Sequence, residues 1–170
     1  GGTLHAGFAM PELAIHPTCE QTLRWSDGLE AEGSFGFDPA VLTGKEPLAR
    51  WWPALGGWEL SGGVGVNGRN RFAQGEWTLG GDVLLNDFAV RNEAQGLDVE
   101  GVRGRVELET LVPLRTALAQ TLTYDRAQLG PVELTGGSAT FGYEAPGRLS
   151  VERWTSGGFG GQVECTPFAC

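Results

Sequence analysis

The sequence is short of the residues that most often carry chemistry. Its 170 positions include two histidines, His5 and His16, and three cysteines, Cys19, Cys165 and Cys170. Both histidines precede every serviceable serine and no nucleophile elbow is present, so no Ser-His-Asp set can be assembled. His5, His16 and Cys19 offer at most three zinc ligands, without the spacing of a zinc finger and without a fourth donor. Three cysteines cannot all pair internally. At most one disulfide forms, by Cys165 or Cys170 reaching Cys19 if the chain ends meet, and free half-buried thiols are an equal reading. An oxidising compartment is allowed by this pattern and not required by it.

Positive charge is scarce as well: 12 Lys and Arg stand against 21 Asp and Glu, a net charge of −9. That balance argues against recognising nucleic acid or anionic headgroups by overall charge. No apolar run approaches the roughly 20 residues of a membrane helix, and no signal peptide is visible. The chain opens with Gly1-Gly2 and not with Met, so a piece of something longer is expected.

What the sequence has in abundance is glycine, 28 positions, set among 41% apolar residues. The glycines are too aperiodic for collagen, and the chain is too apolar for disorder. Between short alternating runs they read as turns, bulges and strand kinks. The clearest run is Leu97 to Leu111. From Val102 onward, Val102, Val106 and Leu108 fall opposite Arg103, Arg105, Glu107 and Glu109. A period of two defines a strand with one apolar and one wet face. Ten such residues span roughly 33 Å, which suits a broad sheet covered on one face only.

The rest of the chain follows this pattern. Thr3–Met10, Gln21–Trp25 and Leu29–Phe37 read as strands, the last two joined across Asp27-Gly28. Trp58–Asn67, Arg71–Leu79 and Gly81–Val90 read as three more. After the long strand come a polar loop over Pro113–Gln120 and strands at Thr121–Leu129, Val132–Thr135, Gly137–Tyr143, Arg148–Trp154 and Gly161–Cys165. Gly130-Pro131, Gly136-Gly137, Ala145-Pro146-Gly147 and Gly157-Gly158 connect them as turns. Short links make consecutive strands antiparallel. The exception is residues 38–56, where Asp38-Pro39 and Glu46-Pro47 both fit helix starts. One or two short helices are expected there, packed through Leu48, Trp51, Trp52 and Leu55. The fold expected is therefore all-β: a single domain over residues 1–170, one long antiparallel sheet with a short helical segment.

Catalysis finds little support. Glu107 and Glu109 share a strand face, as a glycosidase pair might, but Arg103 and Arg105 share it too and a solvated charged stripe accounts for all four. Gly62-Gly63-Val64-Gly65 lacks the Gly-Lys-Ser/Thr ending of a phosphate loop. The chain is read as a non-enzyme with no cofactor and no metal. The notable surface is the apolar face, assigned to Val83, Leu85, Val102, Val106, Leu108, Phe141, Tyr143, Leu149, Val151 and Val163. Closed, it is core; open, it is a trough for acyl chains.

Six motifs in order carry a resemblance over residues 58–165: Leu60-Ser61-Gly62 leading to Asn67-Gly68-Arg69; Val99-Glu100-Gly101-Val102-Arg103-Gly104; Leu111-Val112-Pro113-Leu114-Arg115-Thr116; Val132-Glu133-Leu134-Thr135-Gly136-Gly137; Gly147-Arg148-Leu149-Ser150-Val151-Glu152; and Gly160-Gly161-Gln162-Val163. Together they resemble the closing segment of the bacterial YdbH-like family, which belongs to the AsmA/TamB-like bridge-type intermembrane lipid transporters. The resemblance implies a twisted, curved sheet forming an open groove or half-pipe across the Gram-negative periplasm, with phospholipid acyl chains along its apolar interior. It implies membrane attachment only through parts of a longer chain. It also implies a small outer-membrane lipoprotein as partner, added as a strand near the C-terminal end, here Gly161, Gln162, Val163, Glu164 and Cys165. The family's "dicarboxylate transport" label finds no basic pocket in this sequence. Two other readings stay open. One is a carbohydrate- or protein-binding β-sandwich using Trp51, Trp52, Trp58, Trp77 or Trp154 as platforms; the other is a structural envelope domain with a closed core.

Overall fold

The computed structural model describes residues 2–7, 15–25, 28–44 and 53–169. They form an all-β protein in which every strand belongs to one antiparallel sheet of 12 strands. The strands are β1 (Gly2–Gly7), β2 (Thr18–Trp25), β3 (Leu29–Thr43), β4 (Glu59–Ala73), β5 (Glu76–Asn92) and β6 (Leu97–Leu111), followed by β7 (Leu114–Thr116), β8 (Gln120–Leu129), β9 (Val132–Glu144), β10 (Arg148–Gly158), β11 (Gly161–Cys165) and β12 (Phe168–Ala169). Each of β1 to β6 pairs with its neighbour in sequence. Beyond β6, both β7 and β8 bridge to β9, then β10 and β11 complete the path. Among the described residues the two ends of that path, β1 and β11, do not pair, so the sheet they form is open.

The long strand is observed over the residues whose alternation defined it. Along β6, Val102, Gly104, Val106 and Leu108 are half-buried, and Arg103, Arg105, Glu107 and Glu109 are exposed. Strand β5, with 17 residues, spans roughly 55 Å at about 3.3 Å per residue.

Several boundaries differ from the expectation, each for a local reason. The helix start at Asp38-Pro39 is corrected, because β3 continues through both residues to Thr43, and the ladder to β4 absorbs them in a bulge between Phe37 and Ala40. The short helical segment is the 3-10 turn Pro53–Leu55; Leu48, Trp51 and Trp52 lie outside the described residues. The three strands expected between Trp58 and Val90 are two. Gly68 and Gly81 are cross-strand partners inside β4 and β5, and the hairpin turns at Gln74-Gly75. Gly136, at φ 54°, is a kink inside β9 and not a turn, and Gly157-Gly158 belongs to β10. The loop over 113–120 holds the short strand β7. Cys19 in β2 and Cys165 in β11 are both free, on strands far apart along the sheet path.

Packing between elements runs almost wholly between neighbouring strands. Among the described residues the cover is a small cluster: Ile15 and Ala40 are buried, with Phe37, Leu55 and Leu60 against them. The accessible surface is 10745 Å², against roughly 8,100 Å² for a compact monomer of this size.

Candidate functional site

Residues directly opposite in an antiparallel ladder share a face, so the registers assign the two faces of the sheet. Phe37, Val66, Val83 and Val106 are successive partners across four strands. A longer row runs from Ala40 through Val64, Leu85, Gly104, Leu122 and Ala139 to Trp154 and Cys165. Gly81 faces Leu108 and Phe88 faces Val102. Phe141 faces Val151, Tyr143 faces Leu149, and Ser156 faces Val163. The sequence-assigned residues Val83, Leu85, Val102, Val106, Leu108, Phe141, Tyr143, Leu149, Val151 and Val163 thus share one face. All are half-buried; none is buried as a closed core would require.

Bulges keep this face continuous. The β5–β6 register slips by one residue around Phe88 and slips back before Val90. The extra residue in each strand restores the apolar side chains to the same side. Sequence reasoning missed the contributions of β3, β4 and β8: Phe37, Val64, Val66, Leu122 and Tyr124. A signal was present in Leu122 and Tyr124 alternating with Thr121 and Thr123. The Trp154 indole Nε1–H donates to Tyr124 Oη at 2.8 Å, passing over Gly137, where an added Cβ would lie 2.4 Å from that hydroxyl. The two polar tips of this region therefore satisfy each other and leave their rings on the apolar face.

The opposite face is a polar ladder. Arg103 donates to both carboxylate oxygens of Asp125 at 2.8 Å and also pairs with Asp87. These hydrogen bonds hold the guanidinium well above its ordinary pKa and, in return, the Asp125 carboxyl below its own. Arg105 pairs with Asp82 at 2.9 Å, Arg115 with Glu109 at 2.8 Å, and Arg153 with Glu164 at 3.1 Å. Arg126 reaches Glu133 at 3.0 Å, which raises its pKa, and Glu100 at 3.7 Å. Hydroxyl pairs continue the ladder, Thr121 with Thr140 at 3.0 Å and Ser138 with Thr155 at 3.1 Å. Glu109 is engaged by Arg115.

Of the candidate Trp platforms, Trp58 is half-buried and Trp154 is tied to Tyr124, while Trp77 is exposed and tilted against Phe72 with ring centroids 5.1 Å apart. Trp51 and Trp52 lie outside the described residues. Among the described residues no cluster of three or more His, Cys, Asp or Glu is poised for a metal. Among the described residues strand β11, Gly161–Cys165, pairs with β10 alone and forms one edge of the sheet.

Fold and face together define a class: an antiparallel β-sheet protein whose described strands form one open sheet with one apolar and one ionic face. No protein-family model, curated protein or solved structure matches the chain.

Proposed function

We propose that this chain is a non-catalytic periplasmic segment of a bridge that carries phospholipid between the membranes of a Gram-negative envelope. The apolar face serves as the conduit for acyl chains. One observation supports the reading: apolar side chains from β3 to β11 share a face and remain half-exposed, with no second layer over them among the described residues. An apolar area of that extent on a soluble chain calls for an occupant. An acyl chain gains about 0.8 kcal/mol for each CH₂ it removes from water. The ion-pair ladder on the other face keeps the sheet wetted on one side only. The family resemblance supports phospholipid as the cargo and the envelope as the setting. It also supports docking of a small outer-membrane lipoprotein on β11, whose free edge offers backbone hydrogen bonds to an added strand.

Native mass spectrometry of the protein purified from a Gram-negative host tests the proposal. Phospholipid should co-purify with the native chain and be lost from the Leu85→Asp, Val106→Asp double variant. A native chain that carries no lipid and takes up none from micelles would overturn it.

A further inference from the structure

Three successive ladders slip beside the row that runs from Ala40 through Val64 and Leu85 to Gly104. The slips fall between Phe37 and Ala40 in β3, between Ser61 and Gly63 in β4, and between Leu85 and Phe88 in β5. The bulge in β5 decides which side of the sheet the rest of that strand presents. In an unbroken strand Phe88 would fall on the side opposite to Leu85, because side chains alternate. The extra residue returns Phe88, 8% exposed, to the apolar face against Val102. Val90 follows it, against Val99.

The bulge turns on Asp87, which adopts φ 47°. A side chain in the left-handed region is uncommon, and Asp is among the residues that tolerate it best. The neighbouring strands are shaped to fit. Gly62 (φ 100°) in β4 leaves room for the Asp87 carbonyl, with which an added Cβ would collide. Gly101 (φ 67°) in β6 leaves room in the same way for the Asp125 carboxylate. On the wet side of this bend, Arg103 donates through Nη1 and Nη2 to Asp125 of β8, both at 2.8 Å, and pairs with Asp87 of β5. One side chain thus ties β5, β6 and β8 where the register changes. An isolated surface ion pair contributes little, but bidentate geometry within a network is the exception. The regularly paired stretch Gly81–Leu85 carries a simpler pair, Arg105 with Asp82, between two strands in unbroken register.

We propose that Arg103 is a register latch: by holding Asp87 in the bulge from the wet side, it keeps Phe88 and Val90 on the apolar face. It acts through Asp87 and Asp125 and faces away from the trough, so it is a positioning residue. For its purpose the inference rests on the conduit reading, since a break in the apolar face between Leu85 and Phe88 would put a polar step in the path of an acyl chain. Without the latch the extra residue is free to move along β5, and the β5–β6 ladder opens locally as it does so.

Hydrogen–deuterium exchange of the full chain, read by mass spectrometry on peptides covering residues 86–90 and 99–102, is the test. Arg103→Met keeps the aliphatic stem and removes the charge. Exchange in those two segments should then rise at least tenfold while β9 and β10 stay as in the native chain. Asp87→Asn, which keeps a residue tolerant of the left-handed region, should raise it severalfold, and Arg103→Lys should restore part of the protection. Arg105→Met should leave both segments unchanged. Unaltered exchange in Arg103→Met, an equal rise with Arg105→Met, or a rise spread over every strand overturns the latch. Where phospholipid co-purifies with the native chain, Arg103→Met should carry at least twofold less, and an undiminished load also overturns the proposal. A native chain without lipid in which the exchange contrast holds removes the conduit and leaves the latch; native lipid with no exchange contrast does the reverse.

Discussion

Arg103 is held by the carboxylates of Asp125 and Asp87. The Asp125 pKa is lowered in the folded chain, first by its hydrogen bonds from Arg103. A depressed carboxyl pKa contributes stability that is fully present above the unfolded carboxylate range and is lost as pH falls through the folded value. Denaturation midpoints should therefore decline on acidification below about pH 4, and Asp125→Asn should flatten that decline while leaving a smaller midpoint at neutral pH. A decline unchanged by the substitution would show that Asp125 is not its source. The pair is exposed, so its contribution is modest. The two sides of β6 make a sharper contrast. Val106→Asp places a charge on the half-buried apolar face and should cost about 1–3 kcal/mol. Glu107→Leu, one residue away on the exposed side, should stay within about 0.5 kcal/mol. Chemical denaturation of both variants checks the assignment, and a reversed order would mean that the faces are inverted. This contrast was legible in the sequence because Val102 to Glu109 alternates without interruption. The pairing of Tyr124 with Trp154 was not, since it spans strands brought together only by the β8–β9 and β9–β10 registers.

Strands were easier to find than to delimit, and glycine is the reason. The same residue marks a turn at Gln74-Gly75 and a close approach at Gly68, where an added Cβ would lie 2.2 Å from the Phe35 ring. Phe35 and Gly68 are direct partners, so the ring lies over the bare backbone and makes Gly68 an interior strand position. Gly68→Ala should cost about 1–3 kcal/mol through overpacking. Phe35→Ala in the same chain should recover part of that loss, making the double variant more stable than the sum of the single effects. Strict additivity, read from denaturation midpoints, would refute the contact. Nothing local in Asn67-Gly68-Arg69 separates this role from a turn, nor does Gly136-Gly137 announce a kink within β9. The same limit applied at Asp38-Pro39, where residues suited to a helix start sit at a bulge on β3 because the ladder to β4 continues past them.

At the scale of the molecule, the sequence showed strands without a covering helical layer, and the described residues have that form: 12 strands in one sheet. The breadth of the apolar face was less legible, because it depends on compensating bulges in β5 and β6 that only the assembled ladders reveal. The proposed role requires this face to hold acyl chains while the ionic face stays wet. Site-specific photo-crosslinking in living Gram-negative cells tests that most directly, with the crosslinker placed in turn at Leu108, Phe141 and Glu107. Phospholipid should be captured from Leu108 and Phe141 and not from Glu107; equal capture at all three positions, or none at any, would contradict the conduit.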